Sequence, residues 1–369
     1  MNNNDVWVEI DLSAIEHNVS IIRQSLMADT GVIGVVKSNA YGHGLVEVSQ
    51  KLEQSGVDML AVTSVEEAIT LRSKGISKSI LNLSYTDPSA VEQCIDKKII
   101  ATVYDFAQAE ILHNEATKLK KPLHVHIKID TGMSRLGILS DETEKYVPQI
   151  MRMPYLRIDG LYSHFADEDD MKFVKEQFSA MQKCLFDLQR NGFLVPAVHM
   201  AKSGVLFQSH EYHFDAVRPG IALYGYKPDG QNLRTALTLK TKLAQVKRIK
   251  KGAKVGYMQT YTAPTDMTIG ILPIGYAHGY DRRLSNKGSV LVDDWKCPII
   301  GRICMAQTII DLTAVRMMSK VSMGKEVVVI GKQNKQEITV DEVAKLLDTN
   351  SYEVVTRIPE AVPRSYTIS

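Results

Sequence analysis

The chain of 369 residues is 44% hydrophobic and 23% charged, a globular composition with room for a barrel of ~250 residues plus a smaller partner domain. Its 44 basic and 42 acidic residues leave a net charge of +2, too little to attract nucleic acid or anionic lipid, so neither is expected as a partner. No apolar run approaches the ~18 residues of a membrane span. The opening Met1-Asn2-Asn3-Asn4-Asp5 also lacks the basic and apolar regions of a signal peptide, so a cytoplasmic protein is expected. Cys94, Cys184, Cys297 and Cys304 form no C-x-x-C pair, which argues against a zinc site or a disulfide framework and for reduced, mostly buried thiols.

In chain order, Val6 to Ile10 reads as a strand, and Leu12 to Leu26 as a helix with Asp11 or Ser13 as its cap. Gly31 to Val36 is a short β-branched run, which predicts a buried strand ending at Lys37. Further strands are predicted at Met59 to Thr63, Ile80 to Leu83, Ile99 to Val103, Leu123 to Ile129, Ile158 to Tyr162, Ala197 to Met200 and Asp215 to Val217. Helical periods lie between them at Glu66 to Lys74, Phe106 to Leu119 and Lys172 to Gln189. About eight strand-helix units with apolar strands predict an α/β fold, a (β/α)8 barrel over residues 11–230. A doubly wound open sheet is the competing reading. Lys227-Pro228-Asp229-Gly230 is the linker candidate.

From Leu237 the texture alternates, as expected of half-exposed antiparallel strands. Strands are predicted at Leu237 to Leu243, Val246 to Ile249, Met267 to Leu272, Ser289 to Val292, Cys297 to Ile300, Thr308 to Leu312 and Glu326 to Ile330, with a helix over Val340 to Leu347. A mainly β C-terminal domain over 231–369 is therefore expected, with residues 1–10 as a candidate strand of it.

Unusual polar residues gather where a barrel places its chemistry. Lys37, Asp130, Arg135, His164, Ser203 and Arg218 all stand at or just after the C-terminal end of a predicted strand. A desolvated lysine loses basicity, which suits a Schiff-base or general-base role, although a lone strand-end lysine equally fits snorkelling. Arg135 could grip a carboxylate bidentately. Lys128, inside a strand, has to be neutral or paired. Ser203-Gly204 and Arg218-Pro219-Gly220 supply a hydroxyl and approachable backbone amides for a phosphate. Together with a strand-end lysine they describe a site for pyridoxal phosphate.

Val35-Val36-Lys37-Ser38-Asn39-Ala40-Tyr41-Gly42-His43-Gly44, Lys128 to Gly137, Ser163-His164-Phe165, Arg218 to Gly225, Pro273 to Ala277 and Gly301 to Met305 resemble the successive motifs of bacterial alanine racemases. The resemblance implies a pyridoxal-phosphate barrel with a β domain, a head-to-tail homodimer, an amino-acid substrate and a supply of D-alanine for peptidoglycan precursors. It makes Lys37 the Schiff-base lysine, and Tyr41, Ser203, Gly220 and Ile221 phosphate contacts. Arg218 would face the pyridine nitrogen with His164 beside it, and Arg135 and the Met305 backbone would hold the substrate carboxylate. Lys128 would be carbamylated. Lys37 and Tyr276 would be the two bases, on opposite faces of the substrate, with Tyr276 coming from the partner subunit.

The chain departs from the family at His278 and Ala306, where the family has aspartates, and at Lys202, where it has an asparagine. It departs again at Ser289 and Glu360, where tyrosines narrow the substrate entrance. Altered Ser289, Ala306 and Glu360 predict relaxed selectivity, toward serine or a longer, basic side chain. A decarboxylase on the same plan lacks its Cys and Asp motifs here. A non-catalytic pyridoxal-phosphate carrier would be a single barrel without the Tyr276 stretch.

Overall fold

The computed structural model describes residues 4–226, 230–318 and 321–368. Most of the linker candidate, Lys227 to Asp229, lies outside the described residues, as do Met1 to Asn3 of the opening segment. The chain divides into two compact units. One comprises Ile15–Ala40 with Leu45–Arg234, and the other comprises the chain up to Ala14, Tyr41–Gly44 and the chain from Thr235.

The first unit is a closed barrel. After α1 (Leu12–Gln24), its strands and helices run β2 (Gly31–Val35), α2 (Leu45–Gln54), β3 (Met59–Val62), α3 (Val65–Ser73), β4 (Ser79–Asn82), α4 (Val91–Asp96), β5 (Ile99–Val103) and α5 (Phe106–Leu119). They continue with β6 (Leu123–Asp130), β7 (Ile138–Leu139), α6 (Thr143–Met151), β8 (Leu156–Tyr162), α7 (Met171–Arg190), β9 (Val198–Lys202) and β10 (Ala216–Arg218). Parallel pairing passes from β2 through β3, β4, β5, β6, β8 and β9 to β10, and β10 pairs back onto β2 with Ala216 opposite Gly31. Closure rules out the open sheet. It also buries both faces of each strand, which is why β5 is buried at every position and reads as an unbroken apolar run. Two of the helices begin on aspartate caps: Asp11 Oδ1 accepts the Ser13 amide at 2.9 Å, and Asp105 Oδ1 the Gln108 amide at 2.7 Å.

The second unit is mainly β. β1 (Val6–Asp11) lies one strand in from the edge of a sheet, antiparallel to β11 (Leu237–Lys242) with Val8 opposite Leu239, and parallel to the edge strand β21 (Arg364–Thr367). The same sheet continues from β11 to β19 (Glu326–Gln333), β16 (Ser289–Val292) and β17 (Trp295–Pro298). β20 (Gln336–Ile338) pairs with β19. A second sheet holds β12 (Gln245–Ile249), β15 (Met267–Leu272) and β18 (Thr308–Asp311), and β13 (Lys254–Val255) pairs with β14 (Tyr261–Thr262). Short helices α8 (Thr313–Met318), α9 (Val340–Leu347) and α10 (Ser351–Thr356) complete it.

The strand expected at Cys297 to Ile300 begins earlier, at Trp295. Asp293 and Asp294 both adopt positive φ, 48° and 66°, making a two-residue turn whose twist matches a hairpin, and this fixes Val292 opposite Trp295. All four cysteines are free, three of them buried. No helix among the described residues is long and apolar enough to cross a membrane.

Candidate active site

Lys37 follows β2, and the chain after it turns the wrong way. Ser38, Asn39 and Ala40 have φ/ψ near 54°/55°, 54°/46° and 50°/52°, and Tyr41 has φ 53°, so four consecutive non-glycine residues wind left-handed. Such a conformation costs ~1–2 kcal/mol per residue and persists only where surrounding contacts over-determine it. Here the Ala40 amide donates to the Val36 carbonyl at 2.8 Å, the Leu45 amide to Asn39 Oδ1 at 2.7 Å and the Asn39 amide to Glu67 Oε1 at 3.1 Å. Burial lowers the Lys37 amine below its ordinary value, and the nearby Arg135 cation lowers it further, while Glu67 opposes them. A neutral amine is the form that attacks a carbonyl.

Alternation on β6 sends His126 and Lys128 to one face, the barrel interior, where Lys128 is 5% exposed. Its amine lies 5.3 Å from the centre of the Tyr162 ring. Burial pulls the Lys128 value down to about 7, helped by the cations of Arg135 and Arg218. Asp130, at the end of the strand, holds the following loop: its carboxylate accepts the amides of Gly132 at 2.9 Å, Ser134 at 3.1 Å and Arg135 at 3.0 Å. Arg135 itself projects to the surface. Gly137, at φ 138°, closes the loop so tightly that a Cβ there would meet the Asp130 amide at 2.5 Å.

Arg218, 3% exposed at the end of β10, is surrounded by neutral acceptors. Nη1 donates to His199 Nδ1 at 2.5 Å and to the His199 carbonyl at 2.8 Å. Nη2 donates to the carbonyls of Ser163 and Met200 at 2.5 and 3.1 Å, and to His164 Nδ1 at 3.1 Å. Burial brings the guanidinium down to about 10, still charged at neutral pH. A guanidinium only donates, so the Nδ1 atoms of His199 and His164 are acceptors. Both histidines are held well below their ordinary value, first by burial and then by the Arg218 charge, and are neutral. Their protons therefore sit on Nε2. From there His199 donates to His126 Nδ1 at 2.8 Å, and His199 stacks on Tyr162 with centroids 4.9 Å apart.

At the end of β9, the buried Ser203 Oγ accepts the amides of Gly220 at 2.9 Å and Ala222 at 3.2 Å, and Ile221 between them is buried. Lys202 beside it pairs with Glu168 and donates to the Ala166 carbonyl at 3.4 Å. Lys37, Lys128, Arg135, Lys202 and Arg218 thus gather basic groups around one barrel mouth, with Arg218 charged and Lys37 and Lys128 of lowered basicity. A hydroxyl flanked by loop amides, a lysine of lowered basicity and an excess of basic groups fit a phosphorylated aldehyde and a carboxylate substrate.

The remaining candidates lie in the second unit. Tyr276, 44% exposed, follows Gly275, whose missing Cβ would fall 2.1 Å from the Cys304 carbonyl oxygen. The Tyr276 turn rests on that backbone: its amide donates to the Cys304 carbonyl at 3.2 Å and the Ala277 amide to the Met305 carbonyl at 2.9 Å. Tyr276 lines a cavity of about 580 Å³ with Tyr257, Asp281, Arg282, Cys304 and Arg357. Met305 and Ala306 are exposed, Ser289 opens β16 opposite Pro298, and Glu360 is exposed with its carbonyl accepting Arg364 Nη1 at 3.2 Å. Tyr41 is buried, with its ring 5.9 Å from that of Tyr352. Glu67, His126, Tyr162 and His199 escaped the sequence reading. A signal existed for the two histidines, polar residues within apolar strand runs.

Residues 10–228 match the family model for the alanine racemase N-terminal domain and residues 236–366 that for the C-terminal domain. The chain belongs to the alanine racemase family. It is 38% identical to the alanine racemase of Methanococcus maripaludis, over 99% of this chain and 100% of that one. An alanine racemase structure from Clostridium difficile 630 superposes with a TM-score of 0.93 at 33% identity, covering 100% of this chain and 97% of that chain. That of Bartonella henselae, described with covalently bound pyridoxal phosphate, superposes with 0.89 at 30% identity, covering 99% and 100%. Family membership and the barrel agree with the resemblance of the motifs.

Proposed function

We propose that this chain is a pyridoxal-phosphate-dependent racemase that interconverts L- and D-alanine. The observation that carries the reading is the convergence of Lys37, Lys128, Arg218 and the Ser203–Gly220 amides at one mouth of the barrel. When bound, the cofactor acidifies the substrate Cα–H through its conjugated ring. Lys37 Nζ would hold its aldehyde carbon, and Ser203, Gly220, Ile221 and Tyr41 its phosphate. Arg218 would meet the ring nitrogen. A guanidinium that keeps its own proton leaves that nitrogen unprotonated, which limits side reactions such as transamination.

Arg135 and the Met305 backbone would orient the substrate carboxylate. Lys37 Nζ moves the Cα proton of the D-isomer and the Tyr276 oxygen that of the L-isomer. In this reading Tyr276 comes from a second copy of the chain. Its exposure, with that of Tyr257 at 68%, Met258 at 76% and Met305 at 62%, supports a face made for a partner. Lys128, partly neutral near pH 7, can attack carbon dioxide: an N–C bond forms, a proton leaves to solvent, and the resulting carbamate anion would pair with Arg135.

The test follows Cα–H exchange in heavy water. Tyr276→Phe is expected to keep exchange of D-alanine while losing that of L-alanine, and Lys37→Ala to lose both. Exchange of L-alanine at the wild-type rate by Tyr276→Phe would overturn the two-base assignment. A second reading, preference for serine or a longer basic side chain, rests on Ser289, Ala306 and the exposed carboxylate of Glu360. Turnover of alanine equal to or better than that of serine, lysine, ornithine and arginine would reject it.

A further inference from the structure

The left-handed turn after Lys37 is tied to a neighbouring βα unit through one carboxylate. Glu67 stands in the first turn of α3, three residues after its cap Ser64, whose hydroxyl accepts the Glu67 amide at 3.1 Å. In the usual capping box a glutamate at this position closes back on the amide of the cap residue. Here its oxygens go elsewhere: Oε2 accepts the Thr63 amide at 3.3 Å, and Oε1 crosses to the Asn39 amide at 3.1 Å, two residues past Lys37. Glu67 is half-buried, whereas Glu66 beside it is exposed. The N-terminus of α3 favours a negative side chain at this place.

We infer that Glu67 is a positioning residue for Lys37: its carboxylate locks the Ser38–Tyr41 turn and so sets the lysine at the barrel mouth. The inference rests on Lys37 being the residue that takes the cofactor. Two further bonds of the turn, from Ala40 to Val36 and from Leu45 to Asn39, are local along the chain. Glu67 ties the turn to β3 and α3, on the element next to β2 in the sheet. The charged groups facing Lys37 are Arg135, Lys128 and Glu67, so the brace is also the anion nearest in kind to a counter-ion for this amine.

The test compares wild type, Glu67→Leu, Glu67→Gln and the control Glu66→Gln, each mixed with pyridoxal 5'-phosphate. Attachment to Lys37 is followed by visible absorbance and by mass spectrometry after borohydride reduction, across a pH series. Amide hydrogen exchange is read peptide by peptide in the same proteins. Glu67→Leu is expected to slow attachment about tenfold or more, the scale of a lost charge-assisted bond, and to raise exchange in the 38–42 segment while the other barrel strands stay protected. Glu67→Gln keeps an acceptor for Asn39 and is expected to attach within about threefold of wild type, with the acid limb of its pH profile moved to lower pH because a negative charge is gone. Glu66→Gln is expected to match wild type. Attachment by Glu67→Leu at the wild-type rate overturns the inference, and so does exchange raised throughout the barrel, which signals general destabilisation. A wild-type chain that leaves Lys37 unmodified overturns the cofactor reading and this inference together.

Discussion

Replacing Lys128 by methionine tests whether a buried amine without a carboxylate bonded to it weighs on the fold. Lys128 is 5% exposed, has a value of about 7 when folded, and has the ordinary 10.5 when unfolded. Between those values the unfolded chain binds the extra proton, so the unfolding free energy rises with pH through that window. At pH 7 the cost of this group is about 4 kcal/mol relative to strongly alkaline solution, and by pH 9 it has fallen by about 2 kcal/mol. Lys128→Met carries no such term. In cofactor-free protein and carbonate-free buffer, the variant should be the more stable at pH 7, and its advantage should shrink by about 2 kcal/mol at pH 9. Denaturant unfolding of both proteins at the two pH values measures this difference directly. Adding bicarbonate should flatten the pH dependence of wild type alone, and mass spectrometry should find one added carbon dioxide on Lys128. An advantage that stays constant between pH 7 and pH 9, or grows, would refute the reasoning.

Three further outcomes follow from the geometry. His126 is buried and held down to about 4, so the unfolded chain protonates first as pH falls from 6.5. Wild type should lose up to about 3 kcal/mol through this group between pH 6.5 and pH 4, a slope that unfolding curves of His126→Asn should lack. Gly137→Ala should destabilise the chain by more than about 2 kcal/mol, because φ is 138° and the new Cβ meets backbone at 2.5 Å; an unchanged thermal midpoint would contradict the tight Arg135 loop. Glu168→Gln releases Lys202 from its ion pair beside Ser203 and should tighten pyridoxal 5'-phosphate about two- to fivefold, leaving pyridoxal unaffected. Equal effects on both ligands, measured by fluorescence titration, would show that Lys202 does not act on a phosphate.

The barrel was readable because closure buries both faces of each strand, leaving uninterrupted apolar runs such as Ile99–Val103. The second unit was readable from alternation, as in Leu237–Lys242, which is buried at every other position. What failed to register had local reasons. α6 contains Pro148, which ordinarily argues against a helix, and the Asp293-Asp294 turn lacks the glycine that usually announces such a hairpin. The left-handed turn after Lys37 likewise contains no glycine over Ser38 to Tyr41, so nothing in its composition announces positive φ.

By itself the sequence determined which polar residues stand at strand ends, because strand period and punctuation are set by neighbours a few positions away. It put Lys37 after an apolar run and Lys128 inside a strand. Only the tertiary structure decided what those groups meet. His126 reaches His199 across 73 residues and Arg218 reaches Ser163 across 55. Which histidine nitrogen carries the proton follows from Arg218 having no acceptor to offer. How far the basicity of Lys37 and Lys128 falls follows from water being excluded by strands far away in the chain. Desolvation and hydrogen-bond pairing belong to the closed barrel, and no local segment contains them.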